Sequence, residues 1–106
     1  MPKYLIEANY TQEGVKGVAS AGGSSRRDAV AAMTEGMGGK LESFHFGFGD
    51  HDVFAIADFP DNESAVAMAL AVNSSGAVTT RTVVLLTPEE IGAAVKRSVG
   101  YRAPGA

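Results

Sequence analysis

The chain has no cysteine. That excludes a disulfide framework, a thiolate nucleophile and a thiolate metal site, and it suits a reducing cytoplasm. Positive charge is also scarce: 9 Lys and Arg stand against 12 Asp and Glu, for a formal net charge of −3. Nucleic-acid binding calls for a basic patch or stripe, and here Arg26-Arg27 and Lys96-Arg97 are isolated doublets. Long apolar runs are missing too. The longest, Ala65–Val72, falls far short of the roughly 20 residues a membrane span requires. Met1–Tyr10 carries Glu7 and Asn9 where a secretory leader needs an apolar core. Together these absences predict a soluble, cytoplasmic protein with neither nucleic acid nor membrane as partner.

What is present suffices for one domain. The chain has 106 residues, 45% hydrophobic and 20% charged, which is the composition of a globular protein too short for two ordinary domains. Tyr4–Tyr10 alternates as a strand, with Tyr4, Ile6, Ala8 and Tyr10 on one face and Leu5, Glu7 and Asn9 on the other. Thr11 is placed to cap a helix that Gly22-Gly23 weakens or ends. A second helix starts at Ser24-Ser25, where Ser25 and Asp28 have capping-box-like spacing, and Gly38-Gly39 stops it. Leu41–Phe48 and Asp52–Asp58 read as two strands joined by a tight Gly49-Asp50 turn. Asp61 or Asn62 caps a helix over about 63–73 that is apolar nearly all round, which predicts burial on more than one side. Ala77–Leu86 is β-branched and reads as a fourth strand. Thr87-Pro88-Glu89-Glu90 is a strong helix start, with that helix ending near Val99.

The order β-α-β-β-α-β plus a terminal helix predicts an α+β, ferredoxin-like domain over residues 1–99, with an irregular tail over 100–106. Its four-stranded antiparallel sheet carries helices on one face. The uncovered face holds apolar residues that a small domain does not readily leave in water. The physical remedy is a partner sheet, most simply from an identical chain. Self-association into a homodimer or larger homo-oligomer is therefore expected.

Residues in order along the chain resemble a known family. Pro2–Ala8, Gly22–Arg27, Gly39–Glu42, Gly49–Asp52, the Ala-rich helix through Val72, Ser75–Ala77 and Leu86–Glu89 resemble the GYD domain family of small bacterial and archaeal proteins. The family has no assigned activity and is similar in plan to the dimeric α/β-barrel group, so the resemblance implies that fold and a dimeric barrel-type assembly. It supplies no reaction. One departure stands out: the family has an aromatic before its aspartate, and this chain has His51 before Asp52.

Candidate chemistry centres on the two histidines. His45 lies mid-strand between Phe44 and Phe46 and shares a face with Ser43 and Gly47. If that is the face of Glu7 and Asn9, the uncovered side gathers Glu7, Asn9, Ser43 and His45, with Arg81 joining if its register allows. Such a group suits a small polar ligand, or catalysis with His45 as base and Glu7 or Asn9 as its orienting partner. The plainer reading is an inert, hydrogen-bonded interface histidine. Asp50-His51-Asp52 looks like a metal site, but strand neighbours point to opposite faces, so no metal is assigned. Asp52 is expected to bond the turn's backbone. Gly22–Arg27 offers Arg26 and Arg27 at a helix start as an anion site, against the plainer reading of a helix break. Phe44, Phe46, Phe48 and Phe54 are expected in the core. No cofactor is implied. The leading functional reading is a homo-oligomer that holds a small ligand between its sheet and a partner. The alternative is a cofactor-free enzyme of the dimeric α/β-barrel type, monooxygenase- or isomerase-like, acting on a small metabolite with His45 as base.

Overall fold

The computed structural model describes all 106 residues. Elements follow the order β1 (Lys3–Tyr10), α1 (Gln12–Ala21), α2 (Gly23–Gly36), β2 (Lys40–Phe46), β3 (Val53–Asp58), α3 (Asn62–Ser74), β4 (Val78–Leu85) and α4 (Pro88–Val95). The strands form one antiparallel sheet in the order β2-β3-β1-β4. This is an α+β, ferredoxin-like arrangement. No helix is long and apolar enough to cross a membrane.

Period-two alternation in β1 and β3 sorts residues between the two sheet faces. Tyr4, Ile6, Ala8, Val53, Ala55 and Ala57 are buried beneath the helices, where they meet Phe59, Ala65, Met68 and Val78. Tyr4 also packs edge-on to Phe59, with ring centroids 5.8 Å apart, and its hydroxyl donates to Asn62. Side-chain caps set the starts of three helices. Thr11 accepts from Gly14 N–H, Asp61 from Ser64 N–H, and Thr87 from Glu90 N–H in a reciprocal capping box.

The structure corrects several expectations. α2 begins at Gly23 with Gly22 as its N-cap and no side-chain cap, so Ser25 and Asp28 form no capping box. Gly22 takes φ +88°, a left-handed conformation that lets two helices meet at a single residue. The β2–β3 connection is the six-residue segment 47–52, closed by Gly47 N–H donating to Asp52 C=O at 2.8 Å, rather than a tight Gly49-Asp50 turn. Asp52 leaves the hairpin ladder because β1 uses it: its N–H donates to Ala8 C=O, and its carboxylate accepts from Tyr10 N–H at 2.9 Å. β2 contains an irregularity between Leu41 and Ser43, which frees Glu42 to meet Lys3.

α3 buries only Ala65 and Met68 and exposes Val66 and Leu70. It covers the sheet with one side alone, so its apolar outer side has no cover within the chain. Of the four phenylalanines expected in the core, Phe44 is half-buried, while Phe46 and Phe54 are partly exposed and Phe48 is fully exposed. The last helix ends at Val95, buries no residue, and leaves Ile91, Val95, Val99 and Tyr101 outside. Only 12 of the 106 residues are buried, so a large share of the apolar side chains remains at the surface.

Close backbone contact fixes where α2 hands over to β2. A Cβ at Gly39 would lie 2.2 Å from Asp58 C=O and 3.2 Å from Thr34 Cγ2. Gly39→Ala should therefore lower stability by about 1–3 kcal/mol, as overpacking does, measured by urea unfolding. An unchanged midpoint would show that β2 can shift to admit a methyl group.

Candidate functional site

The open sheet face is a set of rows set by strand register. His45 lies opposite Phe54 on β3, Phe54 opposite Glu7 on β1, and Glu7 opposite Arg81 on β4. One polar row thus crosses all four strands, interrupted by a phenylalanine. The next row is Ser43, Ile56, Leu5 and Val83, which is mainly apolar. Asn9 lies opposite Thr79 at the end near the 47–52 segment. In the outermost row Lys3 bridges Glu42 and Asp58, and these two hydrogen bonds hold the Lys3 ammonium above its ordinary pKa.

Glu7, Asn9, Ser43, His45 and Arg81 therefore share a face but do not form one cluster. At about 4.8 Å per strand, His45 and Glu7 are roughly 10 Å apart, with the Phe54 ring between them. The Glu7 carboxylate instead pairs with His51, whose Nε2 lies 3.2 Å away. Both side chains are about four-fifths shielded, at 17% and 21% exposure. Phe54 meets the His51 ring edge-on, with centroids 5.9 Å apart. Strand alternation does not predict the side that His51 takes. His51 lies in the irregular 47–52 segment, where alternation fails, and it folds over the open face.

Asp50, His51 and Asp52 do not converge on a point, and no group of three or more His, Asp or Glu side chains is placed to hold a metal ion. The Asp52 carboxylate bonds Tyr10 N–H of β1 rather than the turn's own backbone, to which Asp52 is tied only through its C=O. Arg26 and Arg27 also diverge. Arg27 turns outward to Asp28 at 3.2 Å, while Arg26 is half-buried and faces a cavity beneath α1 and α2. There its guanidinium lies beside the Tyr10 hydroxyl. A second, wider cleft of about 530 Å³ lies on the other side of α1, bounded by Val15, Ala19, Phe46 and Phe48.

Fold and face together define a small ferredoxin-like α+β domain with one sheet face uncovered by its own helices. The family model for the GYD domain matches residues 4–95. The chain belongs to the GYD domain family. Comparison with curated proteins and with solved structures returned no match. In this member the position before Asp52 is filled by an imidazole that takes the Glu7 carboxylate.

Tyr10 supplies a pH prediction. Burial raises its pKa above the ordinary 10.0, and the neighbouring Arg26 opposes that rise. A raised folded-state value means that the neutral phenol's contribution is full below about pH 10 and is lost as pH climbs through the folded value. The urea midpoint should fall on the alkaline side, and Tyr10→Phe should remove part of that fall. An identical decline in both proteins would assign the effect elsewhere, Lys3 being the other group raised in the fold.

Proposed function

We propose that the protein works as a self-associating domain, in which the open sheet face of one chain packs on the same face of a second and encloses a small polar ligand. The observation that carries this reading is the composition of that face. Leu5, Ile56, Val83 and Leu85 lie on it beside the row of His45, Phe54, Glu7 and Arg81, and no element of the chain covers them. Two such faces related by a two-fold axis bury apolar against apolar and leave the polar rows facing one another. The unpacked α4, with Ile91 and Val95 exposed, adds apolar surface suited to the same association. Val83→Glu, at a side chain already 42% exposed in the single chain, should convert the oligomer to a folded monomer in native mass spectrometry. Val66→Glu on the outer side of α3 should leave the assembly intact. Loss of assembly in the second variant alone would move the interface to the helices.

A second reading, cofactor-free catalysis on a small metabolite, is supported by the His51–Glu7 pair. A carboxylate that orients an imidazole is the arrangement a general base needs. That role falls to His51, because the Phe54 ring and two strand spacings separate His45 from Glu7. Under this reading His51→Gln and Glu7→Gln should each abolish turnover or ligand retention while His45→Gln retains it. The reverse pattern would return the role to His45.

A further inference from the structure

The helix side of the sheet holds a site that is separate from the open face. α1 and α2 meet at Gly22 and diverge over the end of β1 and the start of β4, leaving an open-mouthed cavity of about 320 Å³. Gly14 seats α1 on Ala77, the residue that leads into β4, since a Cβ there would lie 2.1 Å from Ala77 C=O. One turn later, a Cβ built on Gly17 meets nothing within 4 Å. Gly17 thus opens onto the cavity, and Val18 and Ala21 continue an apolar wall along α1.

Two hydrogen-bond donors reach this apolar space. Arg26 is half-buried at the cavity, with no carboxylate within ion-pair distance of its guanidinium. The Tyr10 hydroxyl lies beside it, and burial keeps the phenol protonated. A partly desolvated guanidinium gains most from an oxyanion acceptor, and a neighbouring phenol O–H donates to the same acceptor. The charge count limits the ligand. There is one free guanidinium, since Arg27 turns away to Asp28, and Glu13 stands at the cavity's rim. With one cation and one carboxylate on its lining, the cavity repels a phosphate dianion more strongly than a monoanion.

We propose that this cavity binds a small monocarboxylate with a compact apolar body, its carboxylate on the Arg26 guanidinium and Tyr10 hydroxyl and its body against Gly17, Val18 and Ala21. The volume is at the lower end of ligand sites, which favours an aryl or short-chain acid over a long-chain one. The site lies on the opposite side of the sheet from the His51–Glu7 pair, so it does not rest on self-association or on chemistry at the open face.

The test is an amide-shift NMR titration of the full chain with benzoate and with hexanoate, each compared with its uncharged amide. At least one acid should shift the Gly17 and Arg26 amides saturably, with its amide weaker by about tenfold or more, the scale of one charge-assisted contact. Arg26→Gln should lose about tenfold or more in affinity, while Arg27→Gln binds as wild type. Gly17→Leu should fill the cavity and abolish binding without lowering the melting midpoint, because glycine is a poor residue for a helix interior. The proposal is overturned if neither acid shifts these amides, if acid and amide bind alike, if Arg26→Gln binds as wild type, or if the shifts are confined to Glu7 and Phe54. Saturable binding of inorganic phosphate without either acid would overturn the ligand class.

Discussion

Strand β1 is hydrogen-bonded on both sides, to β3 along Lys3–Ala8 and to β4 along Lys3–Tyr10. Its alternation divides the molecule. Tyr4, Ile6 and Ala8 are buried under the helices, while Leu5, Glu7 and Asn9 face the open side. A one-residue slip would exchange those two sets, so the register of β1 determines both the core and the candidate site. Asp52 supports that register from outside the ladder, holding Ala8 C=O and Tyr10 N–H with its own backbone and carboxylate. The same contact draws the 47–52 segment over the face and brings His51 to Glu7.

The two sides of the sheet then differ in character. The helix side is incompletely filled, because α1 approaches the sheet closely only at Gly14, leaves open space at Gly17, and α2 leaves Arg26 facing an opening. The open side carries apolar rows beside polar ones, and the His51 imidazole and Glu7 carboxylate meet on it at 3.2 Å, both largely shielded. Val66 and Leu70 on the outer side of α3 and Ile91 and Val95 of α4 are exposed as well. With so few residues fully buried, association with a second chain is a direct way to remove the open sheet face from water, at roughly 25 cal/mol per Å² of apolar area.

Much of the architecture was legible because it rests on local rules. The alternation of Tyr4–Tyr10, the caps at Thr11, Asp61 and Thr87, and the helix break at Gly22-Gly23 are each set within a few residues, and each is found in the fold. Alternation grouped Glu7 with Asn9 and Ser43 with His45, while the strand pairing that puts both groups on one face comes from the fold. What was not legible depends on contacts between distant segments. His51 swings toward Glu7 because Asp52 binds β1, a contact across 42 residues of chain. Arg26 and Arg27 part company because one meets Tyr10 beneath α1 and the other meets Asp28. The apolar character of α3 and the capping box of α4 fixed that these segments are helices. The all-round apolar pattern of α3 predicts burial on more than one side, yet the chain alone covers only the side of Ala65 and Met68, and it buries no residue of α4.

Because the chain has no cysteine, a single introduced cysteine gives one labelled position per copy. The most direct test of face-to-face pairing is the distance between nitroxide labels at Thr79→Cys on the open face, compared with labels at Val66→Cys on the outer side of α3. Sheets pack about 10 Å apart face to face, so the open-face labels should give a defined separation below about 30 Å, with the α3 labels clearly farther apart. A short separation for Val66→Cys, or no dipolar coupling at Thr79→Cys under conditions where the protein is oligomeric, would contradict the pairing.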